Sequence, residues 1–186
     1  MKGACEGCKF WDSFSWACCN GNSPYRADFV NEGCDFKEEE KMQIKIKKLS
    51  ETAKMPAKSS DGSAGFDLYL DEEMTQYLTP GKTYMFHTNI ALEIPKGYFG
   101  AIFARSGLSS KHGIRPATCV SVIDSDYRGE IGVPLHNDNK EESYKIEPHE
   151  RVAQLVILPI PEVELVETDT LEETERGNGG FGSSGR

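Results

Sequence analysis

The segment Val122-Ile123-Asp124-Ser125-Asp126-Tyr127-Arg128-Gly129-Glu130 runs an apolar strand directly into two acids, an aromatic, an arginine and a glycine. Val120, Val122 and Ile123 favour burial, and Asp124 follows with no loop to carry it into water. A carboxylate held at the mouth of a sheet is partly desolvated, which makes it a better base and a better neighbour for a metal ion. The same residues also suit a plain strand end closed by a solvated Asp-Ser-Asp turn, because Asp and Ser bond readily to nearby backbone. Local pattern leaves both readings open.

Other segments carry compatible chemistry. Arg105 leaves a strand where a short helix begins, and the free N–H groups of a helix start, a guanidinium and the Ser106 hydroxyl together suit an anion. Asp67 lies between Phe66 and Leu68 on a strand, so it is either satisfied by backbone N–H groups or set near a cation. Arg151 and Gln154 stand three apart on an apolar strand, a spacing that points them to opposite faces. Gln154 is then free to donate to a phosphate while Arg151 pairs elsewhere. The chain ends in Arg176-Gly177-Asn178-Gly179-Gly180-Phe181-Gly182-Ser183-Ser184-Gly185-Arg186. Such a tail is either a disordered end or a lid, with cations for phosphate, an aromatic for stacking and glycines for close approach. No Gly-Lys-Ser/Thr follows its glycines, which excludes a Walker-type loop.

The elements that must position these residues are mostly strands. Met42, Ile44 and Ile46 alternate with polar residues, and Tyr84, Phe86, Thr88, Ile90, Leu92 and Ile94 repeat that period. Further short strands are predicted at 98–104, 117–123, 131–136, 151–158 and 162–166, with turns at Pro80-Gly81, Pro95-Lys96-Gly97, Asn137-Asp138-Asn139, and Pro159 with Pro161. This pattern predicts an all-β barrel or jelly-roll-like sandwich. One helix of about two turns interrupts it, capped by Ser106, anchored by Leu108 and stopped by a left-handed Gly113.

Five of the six cysteines, Cys5, Cys8, Cys18, Cys19 and Cys34, crowd a first module at residues 1–36. The charged run 37–41 separates it from the strand-rich 42–175 and the tail 176–186. Those thiolates either build a four-coordinate Zn2+ site or belong to a reduced cap packed through Trp11, Phe14 and Trp16. Cys119 reads as a small buried residue beside the Asp124 segment. The start has no apolar h-region and no run approaches the roughly 20 residues of a membrane span, so a cytoplasmic protein is expected. A formal net charge of -9 opposes non-specific binding to nucleic acid, but not a small phosphorylated ligand met by local cations.

Taken in order, Ala-Gly-Phe-Asp-Leu, Arg-Ser-Gly-Leu, Val-Ile-Asp-Ser-Asp-Tyr-Arg-Gly-Glu-Ile, Arg-Val-Ala-Gln-Leu and the glycine-rich tail resemble the five motifs of the trimeric deoxyuridine triphosphatases (dUTPases), over about residues 42–186. The resemblance implies a jelly-roll-like β-barrel, a homotrimer with active sites shared between chains, and Mg2+-dependent hydrolysis of dUTP to dUMP and pyrophosphate. Such an activity limits uracil in DNA and supplies dUMP. It implies Asp124 as the base for the attacking water and Asp67 as holder of the Mg2+ water shell. Arg105, Ser106, Gly107 and Gln154 would cradle phosphates, Tyr127 would pack on the deoxyribose, and Ser121, Val122, Ile123 and Gly132 would form a hairpin that reads uracil. Arg176 would grip the terminal phosphate, Phe181 would stack on the base, and Gly182, Ser183 and Ser184 would close over the phosphates. Thr118 and Ser121 replace the family's usual Asn and Gly beside the base, and His149 replaces a common turn glycine. The alternatives are a dCTP deaminase or a bifunctional relative on the same fold, against which the Asp-Ser-Asp-Tyr segment and complete tail argue, and a regulatory dUTPase-like protein binding a protein partner through residues 1–36.

Overall fold

The computed structural model describes residues 11–12, 17–18 and 42–180. The chain divides into two compact units, Met1–Gln43 and Ile44–Arg186. In the first, β1 (Trp11–Asp12) pairs antiparallel with β2 (Ala17–Cys18). The side chains of Cys5, Cys8, Cys18, Cys19 and Cys34, and with them the Zn2+ reading, lie outside the described residues.

The second unit is mostly β with one short helix, as the alternating patterns predict. Every sheet is antiparallel. β10 (Ser121–Ile123), β8 (Tyr98–Ala104), β13 (Arg151–Pro159) and β4 (Phe66–Tyr69) form a four-stranded sheet in that order. β6 (Thr83–His87), β11 (Gly132–Asn137) and β9 (Ile114–Pro116) form a second. Two further pairs join β12 (Tyr144–Ile146) to β5 (Gln76–Leu78) and β3 (Lys45–Lys48) to β7 (Ile90–Glu93). One apolar core draws on all four groups, through Leu68, Ile102 and Leu155, then Phe86, Ile114 and Val133, then Leu78 and Ile146, then Ile90 and Leu92. Among the described residues no helix is long and apolar enough to cross a membrane.

Several elements differ from the sequence reading for identifiable reasons. The 84–94 strand is two, because Asn89 takes a left-handed φ of 49° and breaks the ladder between β6 and β7. Its inward period survives the break in part: Phe86, Thr88, Ile90, Leu92 and Ile94 are buried, whereas Tyr84 at its start is exposed and Ala91 between them is buried too. The 117–123 strand is interrupted by a turn in which Cys119 has φ 61°, leaving only Ser121–Ile123 paired. Cys119 is exposed rather than buried. Residues 162–166 form no strand: Val163 and Leu165 are 73% and 94% exposed, with no neighbouring strand to pair against. The helix α1 (Ser106–His112) does end at a left-handed Gly113, and Leu108 does anchor it in the core. Its cap position, however, is Arg105 in extended conformation without a side-chain capping bond, so Ser106 is the first helical residue rather than the cap.

Candidate active site

β10 ends at Ile123 because the chain must leave the β8 edge there and cross to the other sheet, where it re-enters as β11. The crossing residues are Asp124 to Ile131, the segment whose chemistry stands out in the sequence. β10 and β11 are therefore not paired with each other, and the expected two-stranded hairpin is a crossover between sheets instead. A cavity of about 420 Å³ opens at this crossover, lined by Val122, Ile123, Asp124, Tyr127 and Gly132 together with Met85, His87 and Glu130. That volume suits a nucleoside-sized ligand.

Two contacts shape the crossover. The Tyr127 hydroxyl donates to the Glu130 carbonyl at 2.9 Å, folding the ring back over Gly129. A Cβ at Gly129 would meet the Tyr127 Cζ at 2.6 Å, so the fold-back requires glycine. The Glu130 carboxylate is held from the β6–β7 bend, by His87 Nδ1 at 2.9 Å and by the backbone N–H of Asn89 at 3.0 Å. The Glu130 hydrogen bond raises the His87 pKa above its ordinary value, against a smaller opposing effect of burial. Asp124 itself is exposed, as is Tyr127. The partial desolvation expected from sequence is absent among the described residues, none of which covers the strand end. Upstream, the Thr118 and Ser121 hydroxyls bond to each other at 2.6 Å, tying the Cys119 turn to β10.

A second cluster forms at the opposite corner of the four-stranded sheet. The buried Asp67 accepts from Arg105 Nε at 3.1 Å, from Arg151 Nη1 at 3.0 Å and from the Ser59 hydroxyl at 2.8 Å. Arg105 also donates to the Arg151 carbonyl at 2.7 Å, which fixes its guanidinium. Arg151 and Gln154 do not face apart as an ideal strand would have them. A bulge between Arg151 and Ala153 shifts the register, so Gln154 lies opposite Asp67 while Arg151 also reaches Asp67. Gln154 donates to the Ala104 carbonyl at 3.0 Å and packs over Gly65, where a Cβ would sit 3.0 Å from its Oε1. Ser106 and Gly107 open α1 beside this cluster and are exposed. Arg176 is exposed, its Nε donating to the Gly179 carbonyl at 2.9 Å within the tail turn. Phe181, Gly182, Ser183 and Ser184 lie outside the described residues.

The sequence motifs thus fall into two groups. Asp124, Tyr127, Val122, Ile123 and Gly132 share the crossover cavity, whereas Asp67, Arg105 and Gln154 share the other corner. The sequence reading does not assign Met85, His87 or Glu130 to the cavity. Glu130 at least lies within the conspicuous segment, but nothing in the local pattern marks His87.

An acid at a nucleoside-sized cavity and a separate cation-rich corner are the parts that hydrolysis of a nucleotide phosphoanhydride needs. The dUTPase family model matches residues 51–185. The deoxyuridine 5'-triphosphate nucleotidohydrolase of Nautilia profundicola is 46% identical over 145 residues, covering 78% of this chain and 100% of that protein. That of Alkaliphilus metalliredigens is 45% identical over 142 residues, covering 76% and 96%. Among solved structures, a mutant of the Staphylococcus bacteriophage 80alpha dUTPase with dUpNHpp superposes with a TM-score of 0.70 at 34% identity, covering 77% of this chain and 99% of that one. A mutant dUTPase from the Staphylococcus aureus phage phi11, described as coordinating a structural Mg(II) ion, superposes with a TM-score of 0.65 at 28% identity, covering 71% and 100%. The chain belongs to the dUTPase family.

Proposed function

We infer that the protein is a dUTP diphosphatase, hydrolysing dUTP to dUMP and pyrophosphate. The observation that carries the reading is Asp124 on the rim of a nucleoside-sized cavity that also holds Tyr127 and Gly132, in a chain of this family. Asp124 orients a water in line with the α-phosphorus and takes its proton. The water oxygen bonds to phosphorus as the bond to the bridging oxygen breaks, and pyrophosphate leaves. Tyr127 packs against the deoxyribose, where a 2′-hydroxyl would collide with the ring. Val122, Ile123 and Gly132 present main chain to the uracil edge. A base with the opposite donor and acceptor pattern would leave buried groups unpaired, at a cost of about 1–3 kcal/mol.

Arg105, Ser106, Gly107 and Gln154 serve the phosphates, and Arg176 with Phe181, Gly182, Ser183 and Ser184 closes over the nucleotide as a lid. Mg2+ supplies charge neutralisation on the triphosphate. Among the described residues no group of three or more His, Cys, Asp or Glu side chains converges. That donor set fits an ion carried mainly by substrate oxygens and water rather than by a protein cage. Asp67 would hold it through water: its carboxylate offers about four acceptor positions, of which three are taken by Arg105, Arg151 and Ser59.

The sheets close into a jelly-roll-like barrel, and the working unit is a homotrimer with shared sites. Two features support sharing. Ile123 pairs with Gly100, and Arg105 lies five residues farther along β8, about 17 Å away on an extended strand. Asp124 follows the edge strand β10 while Asp67 sits on the opposite edge strand β4, three strand spacings or about 14 Å across. One triphosphate does not bridge both corners of a single chain. In addition, Val163, Leu165 and Val166 expose apolar side chains that a neighbouring chain would cover. Pyrophosphate release from dUTP, dCTP, dTTP and UTP, with and without Mg2+, tests the function. Mg2+-dependent release selective for dUTP is expected, and equal release from dCTP or UTP would refute it.

A further inference from the structure

The Asp124–Glu130 crossover carries both the proposed base and the sugar-packing ring, yet it has few anchors of its own. Asp124, Asp126, Tyr127 and Arg128 are all exposed, and among the described residues Arg128 donates to carbonyls of the same loop, those of Ser125 and Tyr127. The loop is tied to the body of the protein at its end, by the buried Ile131 and by the side chain of Glu130 just before it. The Ile131 N–H donates to the Ile90 carbonyl at 2.9 Å, and its carbonyl accepts from the Thr88 hydroxyl at 2.5 Å. His87 Nδ1 meets one carboxylate oxygen at 2.9 Å, the Asn89 N–H donates to the other at 3.0 Å, and Tyr127 bonds to the Glu130 carbonyl. The Asn89 side chain is in turn fixed by a 2.9 Å bond to Asp71, at the left-handed residue where the chain bends between β6 and β7. Both imidazole and carboxylate line the cavity with Asp124 and Tyr127.

We propose that His87 is a positioning residue for the reaction: through Glu130 it pins the Asp124–Glu130 loop, and it does so most firmly as an imidazolium, so that dUTP binding weakens when His87 loses its proton. The inference rests on the reading of this cavity as the dUTP site. A positively charged donor adds to its hydrogen bond with the carboxylate a coulombic attraction that a neutral imidazole lacks. The groups that face His87 are Glu130, Tyr127 and Asp124 from the crossover and Glu72 from the segment after β4; of these Glu130 and Glu72 favour its charged form. Because the folded pKa lies above the ordinary 6.5, the charged pair is complete below that value and is lost as pH rises through the raised one.

The experiment measures KM and kcat for dUTP between pH 6 and 9 in the wild-type protein and in His87→Asn, which retains a neutral donor. The ratio of the two KM values removes the titration of dUTP itself. The ratio is expected to be about five at the acid end and to fall to about one at the alkaline end, with kcat nearly equal throughout. In parallel, the imidazole of His87 is titrated by NMR in wild type and Glu130→Gln, with His87→Asn identifying its signal among the four histidines. A fall in its pKa in Glu130→Gln is expected. A KM ratio that does not change with pH, or an imidazole titration unmoved by Glu130→Gln, overturns the inference while leaving the dUTPase reading intact. Failure of the wild-type protein to hydrolyse dUTP overturns the reading beneath it.

Discussion

The proposal that Asp124 of one chain and Arg105 of another serve one nucleotide is tested directly by mixed oligomers of two inactive variants. Asp124→Asn removes the base and Arg105→Met removes a phosphate donor. Either alone is expected to be nearly inactive in its own homo-oligomer. In a randomly mixed population at equal amounts, a site joining Asp124 of one chain to Arg105 of the next is intact only when the first chain is the Arg105 variant and the second the Asp124 variant. Each condition holds half the time, so about one quarter of all sites recover in closed head-to-tail trimers, which is about one third of the sites in the mixed trimers alone. The structural basis is the β8 register: Ile123 pairs with Gly100, and Arg105 lies five residues beyond. Arg105 is also held at its own corner by Asp67 and the Arg151 carbonyl, so its side chain does not reach back along the strand. Subunits are exchanged by co-expression with two affinity tags, and dUTP-dependent pyrophosphate release is measured on the doubly tagged fraction. Activity no greater than the sum of the two homo-oligomers would refute the shared site, and with it the claim that one chain carries two half-sites.

Three further outcomes follow from the same geometry. Asp124→Asn should retain binding of a non-hydrolysable dUTP analogue, measured calorimetrically, while kcat falls by about 10²–10⁴-fold, and near-normal turnover would remove Asp124 from the role of base. Gly129→Ala places a Cβ against the Tyr127 ring and should displace it, lowering kcat/KM for dUTP by up to about 10²-fold with an unchanged melting temperature; an unaffected kcat/KM would show that the ring position does not matter. Removing residues 176–186 should abolish most turnover without lowering thermal stability, since residues 176–180 add nothing to the buried core; full activity in the truncated protein would end the lid reading.

Much of the scaffold is legible in the sequence because burial on a sheet has a period of two. Phe86, Thr88, Ile90, Leu92 and Ile94 all face inward as that period requires, and Gly113 stops α1 where a left-handed residue is needed. What escapes is set by register and by distant partners. β5 and β12 are three residues each and pair with one another across the chain, too short to show a period. Asn89 and Cys119 adopt positive φ without being glycine, so the strand breaks they cause carry no strong local mark. The bulge at Arg151 to Ala153 inverts the expected facing of Arg151 and Gln154, and no Gly or Pro announces it. The pairing of Asp67 with two arginines from β13 and the start of α1 is likewise invisible to a linear reading.

Motif order along a chain says nothing about how the motifs divide in space, and here the division is the informative part. The resemblance implies that Asp67, Arg105, Asp124, Tyr127 and Gln154 serve sites shared between chains, without saying which of them one chain keeps together. The sheet order β10-β8-β13-β4 sends the Asp124 crossover to one edge and Asp67 to the other. A residue that serves as base is best placed where water is excluded, yet Asp124 is exposed in the single chain, and Met85 and Val122 beside it expose 58% and 60% of their surface. Leaving such a site open costs little in an isolated fold but much in catalysis, because exposed charges act through a high dielectric. Under the proposed trimer, the apolar rim of the cavity, the segment around Val163 to Val166 and the separated Asp67–Arg105 corner are one feature seen three times: surface that would become interior when another chain and a nucleotide arrive. Activity of the proposed trimer then depends on assembly, and dilution below the oligomer's dissociation range should abolish turnover while the β-rich fold persists; full turnover at such dilution would refute the shared site.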